Sequence, residues 1–482
     1  MNSNDDTTAW RSLRAIVIVA GVGASLLFIA IGLSTRLQMF GDGSVFSYAV
    51  AAQEAWAFHW HNISGRLFGY VYAYVPAEAV VALTGSANAG IAVYGLLHFS
   101  APLLGLLVTF AADRSDGRII FVYACLSTVC LCPLVYGAPT EMWMAHAVFW
   151  PALALCLYAP AGVRGAAAVV TGLLALVFTH EGAIVFAAAI LFATFLRGGR
   201  EPAFIRAATA FAVAMVIWSI VKLTVRPDDY IAPVMAAAAY KFIDVENLTD
   251  PAFVLLMAAL GIYDLALILL RRIAPRQAYG FAVVATALLL AAYWFWFDRS
   301  LLAEARYNLR TVLLIVTPVL GVIAAVHTMD DEARRRSPLP FLAVAASTIE
   351  KAVNPRLIAG ALLLILLVHT VETTKFVWAW TNYKTAIRAL VTSALSDPLL
   401  GDPSFVSSQR IDPSLNRLAW NSTTPFLSVL VAPGLAPARL VVDPSAGYFW
   451  LSCATATQSE RTSSAIPPES RRLIRLHACL HR

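Results

Sequence analysis

The residue best placed for chemistry follows the first long apolar segment of the chain. Asp42 lies in the sequence Phe40-Gly41-Asp42-Gly43-Ser44, soon after residues 15–33, which are long and apolar enough to cross a bilayer. A carboxylate at a membrane surface can accept the proton of a hydroxyl group and make its oxygen a better nucleophile. Asp42 is therefore a candidate general base. The alternative is a turn residue, because aspartate next to glycine favours turns.

Three further polar groups are predicted to emerge at the same membrane face as Asp42. Each has a simpler explanation: Glu141 as a helix cap, His180-Glu181 as an interface turn, and the arginines near residue 306 as anchors to lipid headgroups. Their common location is the informative feature. The candidate catalytic residues are Asp42 and Glu141, and the candidate substrate-binding residues are Glu54, His59, His61, Arg66, His180, Glu181, Arg306, Tyr307 and Arg310.

These residue types suit the transfer of a sugar from a lipid-linked donor. Guanidinium groups bind phosphate oxygens through two hydrogen bonds and stabilise developing negative charge. Arg306 and Arg310, together with Arg66, would hold the phosphate, while Asp42 would activate the acceptor hydroxyl. A polyprenyl phosphate leaving group would keep its tail in lipid and its head at the membrane surface. The donor site is therefore expected at the membrane surface.

The composition indicates a polytopic membrane protein. Hydrophobic residues make up 59% of the chain, charged residues make up 13%, and the mean hydropathy is +0.71. A soluble chain of 482 residues could not cover so much apolar surface. The net charge of +6 follows from basic residues in the loops assigned to the cytoplasm, so it implies no nucleic-acid partner.

The apolar segments predict an all-α protein with about eleven transmembrane helices. Residues 69–83 are interpreted as a helix that lies at or re-enters the outer surface. If that helix spanned the membrane, every later loop would change sides. The predicted spans are 15–33, 90–111, 119–136, 146–160, 166–179, 182–196, 205–223, 252–270, 279–297, 311–327 and 357–371.

The charge distribution predicts the orientation of these spans. Arg11 and Arg14 precede the first span, so the N-terminus is expected in the cytoplasm. With that start, the loops assigned to the cytoplasm hold about twice as many Lys and Arg residues as the short outer loops. The C-terminus is then expected outside a bacterial-type inner membrane.

The C-terminal residues differ in composition from the rest of the chain. Residues 1–371 are predicted to form the transmembrane domain, with a first outer loop at 34–89, and residues 372–482 a small mixed α/β outer domain. The short apolar runs 426–431 and 440–442 resemble strands. A disulfide between Cys453 and Cys479 is plausible in an oxidising compartment, and two unpaired thiols are the alternative.

The arrangement of these features resembles a known family, the membrane-embedded glycosyltransferases of the C-type (GT-C) fold. Members carry an acidic residue soon after the first span, followed by surface-lying helices, as in Gly41-Asp42-Gly43 and residues 44–80. Glu141 matches a second acidic residue in the next outer loop, and Arg306-Tyr307 looks like a pair found in a late outer loop. The resemblance implies a polyprenyl-phosphate-linked sugar donor and a glycan or lipid acceptor.

Other function classes remain open at this stage. A transporter or flippase of a lipid-linked saccharide would also gather arginines and acids near one face, but it should place ionisable residues in mid-span. A membrane scaffold would need no clustered carboxylates. Asp42, Glu54 and Glu141 could hold a divalent cation if they converge, because such ions prefer carboxylate oxygens. Their spacing in the sequence does not demonstrate this.

Overall fold

The protein is described here from a computed structural model. The structure describes residues 3–56, 63–131, 141–199, 201–225, 251–275, 277–298, 309–342, 344–345, 348, 354–396, 404–420, 423–435 and 439–442.

Helices account for most of the described residues. The helices are α1 Ser3–Thr35, α2 Asp42–Ala52, α3 Leu67–Thr84, α4 Ala87–Ala112, α5 Ile119–Cys130, α6 Glu141–Tyr158, α7 Val163–Val177, α8 Ala183–Gly198, α9 Pro202–Thr224, α10 Pro251–Ile273, α11 Ala278–Trp296, α12 Leu309–His327, α13 Asp331–Arg336, α14 Pro355–Leu395, α15 Pro413–Asn416 and α16 Thr424–Val431. The described strands are β1 Ser404–Ser407 and β2 Arg439–Val442, which pair in parallel.

The chain is a multi-pass, all-α membrane protein. Seven helices in the described residues are long and apolar enough to cross a membrane: α1, α3, α4, α9, α10, α11 and α14. Within the described residues each of the eleven predicted segments overlaps a helix, but α5, α6, α7, α8 and α12 are not among the seven helices that qualify as spans. Helix α3 covers the 69–83 segment that was expected at the surface, and its length and composition are those of a span.

The two ends of the helix bundle are defined by the contacts of α1. At the upper end, the carbonyl oxygen of Thr35 accepts hydrogen bonds from the Trp380 indole N–H at 3.0 Å and from the Lys384 ammonium at 2.5 Å. At the lower end, the Arg14 guanidinium lies against Gly117 in the α4–α5 connection. The C-terminal part of α14 therefore lies at the end where α1 terminates, which is the end that carries Asp42.

Helices α3 and α4 form an antiparallel hairpin at the upper end. Gly85 turns the chain with a φ of +66°, a conformation that glycine adopts without strain. Gly90 allows Val81 to approach the α4 backbone closely, and the Tyr72 hydroxyl donates to the carbonyl of Leu97 at 2.9 Å. Helix α3 contains a π turn over Tyr70–Tyr74. The N-terminal end of α3 lies next to the candidate site.

Helix α14 connects the bundle with the C-terminal segment. Its 41 residues correspond to about 60 Å, roughly twice the thickness of a bilayer core, so its C-terminal part extends beyond the membrane. The helix continues without interruption through the predicted domain boundary at 371/372. Strands β1 and β2 pack on this extension, where the buried Arg439 guanidinium donates to the carbonyl of Ala394 at 3.0 Å.

The C-terminal segment corrects one sequence-based prediction. Residues 440–442 lie in strand β2, as expected, but residues 426–431 lie in helix α16 and not in a strand. A short apolar run without polar alternation fits a buried helix and a buried strand equally well. Pro425 in the first turn of α16 favours the helix, because its fixed φ angle suits that position.

Candidate functional site

Asp42 begins α2 at the upper end of the bundle. The preceding Gly41 has φ +57° and ψ −132°, a combination open only to glycine, and a Cβ there would lie 3.3 Å from the Trp420 ring. A Cβ at Gly43 would collide with the carbonyl oxygen of Gln38. Both glycines are therefore required by the backbone, and they hold the Asp42 carboxylate in the first turn of a buried helix.

The C-terminal segment covers this turn. The Ser44 hydroxyl donates to the carbonyl of Thr423 at 3.1 Å, and the Tyr48 and Phe426 rings meet edge to face at 5.1 Å between centroids. The residues that follow α14 are thus part of the wall around Asp42.

Four charged side chains from four parts of the chain meet near the lower end of α3. The Arg66 guanidinium lies 3.1 Å from the Glu181 carboxylate and 3.4 Å from the Glu141 carboxylate. The second oxygen of Glu181 lies 3.0 Å from the Lys222 ammonium. We refer to Arg66, Glu141, Glu181 and Lys222 as the Arg66 cluster. Its formal charges sum to zero.

Local packing positions each member of the Arg66 cluster. Glu141 is the first residue of α6, Glu181 lies in the turn between α7 and α8, and Lys222 lies in the last turn of α9. Arg66 precedes α3, where Gly65 lets the Lys222 side chain pass and accepts a 3.3 Å hydrogen bond from the Trp218 indole N–H.

The Glu181 carboxylate is held in its ionised form. Burial alone would raise the pKa of Glu181, but the positive charges of Arg66 and Lys222 outweigh burial and hold that pKa well below its ordinary value. The neighbouring His180 is buried, and its Nδ1 accepts a 2.9 Å hydrogen bond from the backbone N–H of Gly182. His180 thereby fixes the turn that presents Glu181.

Two tyrosines connect Asp42 with the Arg66 cluster. The buried Tyr94 lies within electrostatic range of the Asp42 and Glu141 carboxylates, and Tyr74 lies within electrostatic range of Glu141 and Arg66. The two tyrosine rings lie 5.1 Å apart. The candidate catalytic residues predicted from the sequence therefore face one region of the structure.

Glu54 lies at the edge of this region. Burial raises the pKa of the Glu54 carboxyl, which also faces the negative charge of Glu78 on α3. The Glu78 carboxylate accepts a 2.7 Å hydrogen bond from the backbone N–H of Ala55. Glu78 thereby ties the chain after α2 to the α3–α4 hairpin.

A second cluster of charges, which we call the Lys375 cluster, lies at the upper end between α11 and α14. The Lys375 ammonium contacts the buried carboxylate of Asp298 and lies 3.2 Å from that of Glu372. The Trp294 indole N–H donates to the same Glu372 oxygen at 3.1 Å. Sequence reasoning placed Asp298 in an outer loop but attributed no role to Glu372 or Lys375, because both fall beyond the predicted end of the last span.

Lys222 was also missed as a site residue. Lys222 falls at the outer end of the predicted span 205–223, and the sequence analysis gave it no role. The available signal was that a lysine at the end of a helix, on the same predicted face as His180-Glu181, can reach a carboxylate there.

Several predicted site residues lie outside the part of the chain that the structure describes. The Arg310 backbone lies in α12, but the Arg310 side chain is outside the described part of the structure. Across the described ranges, no three His, Cys, Asp or Glu side chains lie close enough together to hold a metal ion. The other site residues without a description are His59, His61, Arg306 and Tyr307, and the two cysteines of the predicted disulfide, Cys453 and Cys479, are likewise not described.

Comparison with known proteins adds no assignment. The sequence matches no family model, and no curated protein is significantly similar to it.

Proposed function

We propose that the protein transfers a sugar from a polyprenyl-phosphate donor to a glycan or lipid acceptor at the upper end of the bundle. Asp42 accepts the proton of the acceptor hydroxyl, whose oxygen then attacks the anomeric carbon. The bond from that carbon to the phosphate oxygen breaks, and polyprenyl phosphate leaves. Positive charge near the phosphate stabilises this leaving group.

The observation that carries this proposal is the convergence of Asp42, Glu141 and Arg66. These residues are separated in the sequence, yet both carboxylates lie within electrostatic range of Tyr94 and Arg66 pairs with Glu141 at 3.4 Å. The two glycines around Asp42 favour a role beyond that of a simple turn, because they hold its carboxylate beside this cluster. A transporter or flippase of a lipid-linked saccharide would also gather arginines and acids near one face, but it should place ionisable residues in mid-span as well.

The proposal includes a GT-C-like architecture with about eleven spans and a small outer C-terminal domain, and it takes α3 as a helix that lies at or re-enters the outer surface and does not span the membrane. The upper end is proposed to face outward from a bacterial-type inner membrane, with the N-terminus in the cytoplasm. The basic side chains at the lower end support this orientation: Arg206, for example, donates to the carbonyls of Ala159 and Pro160 there. Membrane lipid and the donor are the expected partners.

The test is an Asp42→Asn variant in liposomes. A panel of polyprenyl-phosphate hexoses and pentoses is supplied with a membrane glycolipid extract as acceptor, and released polyprenyl phosphate is measured by mass spectrometry. Loss of a general base lowers the rate by about 10²–10⁴-fold, so release should nearly stop while donor binding persists. Asp331→Asn is the matched control, because Asp331 is exposed on α13 at the lower end.

A correctly inserted Asp42→Asn protein with wild-type release would reject the catalytic role, since asparagine is also a good turn residue. Failure of the wild-type protein to release polyprenyl phosphate from any donor of the panel would reject the glycosyltransferase proposal itself.

A further inference from the structure

Glu181 is the carboxylate that contacts both cations of the Arg66 cluster. One of its oxygens lies 3.1 Å from Arg66 Nε and the other lies 3.0 Å from Lys222 Nζ. Glu141 contacts Arg66 at 3.4 Å. The two oxygens of the Glu181 carboxylate thus contact a guanidinium and an ammonium group. Phosphate oxygens make the same contacts with these two groups.

The surroundings of Glu181 allow it to leave this position. Its side chain is 31% exposed, against 13–18% for the other three members of the cluster. It lies in a short turn between α7 and α8, whose backbone hydrogen bonds involve Thr179, His180 and Gly182, and the Glu181 carboxylate also meets its own backbone N–H. A rotation of this side chain toward water would expose Arg66 and Lys222 without movement of a helix.

The charge balance gives the reason for such a displacement. Arg66 and Lys222 carry two positive charges, and Glu141 and Glu181 neutralise them. A further anion added to this cluster would meet two carboxylates beside the two cations, so its binding is favourable only when one carboxylate moves away. Glu141 begins a helix and is the least exposed member, whereas Glu181 is the most exposed.

We propose that Glu181 occupies the binding position of a phosphate group and is displaced when that group binds to Arg66 and Lys222. In the absence of ligand, the carboxylate keeps the two cations paired and in place. This inference deepens the proposed function and rests on it for the identity of the ligand, a phosphate carried by a lipid. Glu181 then competes with the ligand and weakens its binding. A residue that oriented Arg66 for the ligand would instead strengthen binding.

The test compares phosphate binding by wild-type protein and Glu181→Gln in nanodiscs of phosphatidylcholine. The probes are undecaprenyl phosphate, phosphatidic acid and inorganic phosphate, which separate a polyprenyl ligand from another lipid headgroup and from free phosphate. Glu181→Gln should bind undecaprenyl phosphate about 10- to 100-fold more tightly, because a competing charge-assisted interaction is removed. Arg66→Gln and Lys222→Met should weaken binding.

Glu332→Gln is the matched control, because it breaks an exposed ion pair with Arg336 at the lower end and should leave the affinity unchanged. An equal or weaker affinity of Glu181→Gln, or no binding of any of the three probes, overturns the inference. Tighter binding of phosphatidic acid or inorganic phosphate alone also overturns it, because the ligand would then not be a polyprenyl phosphate. The glycosyltransferase proposal is judged separately, by release of polyprenyl phosphate in wild-type protein and Asp42→Asn.

Discussion

The Arg66 and Lys375 clusters both pair cationic side chains with two carboxylates at the upper end, but they differ in burial. The Arg66 cluster has two cations, and all its side chains keep some contact with solvent. In the Lys375 cluster the Lys375 ammonium contacts both Asp298 and Glu372, whose side chains are at most 1% exposed.

This difference separates a ligand site from a structural clamp. A buried carboxylate depends on its charged and hydrogen-bonding partners, because water cannot replace them. Glu372 therefore needs both Lys375 and the Trp294 indole, and the cluster ties α11 to α14. In the Arg66 cluster, water can hydrogen-bond to a side chain whose partner moves away. Arg66 and Lys222 can therefore exchange a carboxylate for another anion.

The largest expected effect is on the stability of the Lys375 cluster. Lys375→Met removes the cation shared by two buried carboxylates and should lower the free energy of unfolding by about 3–5 kcal/mol. Thermal unfolding in detergent measures this as a lower midpoint or as loss of folded protein. Glu372→Gln is the comparison variant, because it leaves one carboxylate for the lysine and keeps an acceptor for Trp294. If both variants unfold like wild type, the clamp interpretation fails.

A smaller loss of stability is expected for the Arg66 cluster. Arg66→Gln removes one charge-assisted partner from each of two partly exposed carboxylates, and it should cost about 1–3 kcal/mol. The same thermal unfolding assay measures it beside Lys375→Met. A larger loss for Arg66→Gln than for Lys375→Met would contradict the contrast between the two clusters.

The smallest effect is the pH dependence of the Glu181 ion pairs. Because the folded-state pKa of Glu181 is lowered, its stabilisation is fully present above the unfolded-state pKa of about 4.3 and is lost as the pH falls toward the folded-state value. The difference in unfolding midpoint between wild type and Glu181→Gln should therefore stay constant from about pH 8 to pH 5 and shrink below about pH 4. A difference that shrinks between pH 8 and pH 6 would show that the carboxylate titrates near neutrality.

The sequence alone predicted the long apolar helices of a membrane protein, and it suggested which residues could do chemistry. Long apolar runs such as 15–33 and 90–111 predict helices because a bilayer leaves backbone groups no partner except one another. The glycines beside Asp42 also marked a special backbone position before the structure showed what they contact. These features are local, so they can be recognised along the chain.

Tertiary structure decided which of these residues meet. Arg66, Glu141, Glu181 and Lys222 come from distant parts of the chain, and their pairing depends on how α3, α6, α8 and α9 pack at one end of the bundle. Residues 426–431 form a helix that packs against α2. The packing of α11 beside α14 gives Lys375 its buried partners. Contacts between distant segments leave no periodic pattern in a single sequence, and therefore only the folded arrangement of the helices distinguishes the Arg66 cluster from the Lys375 cluster.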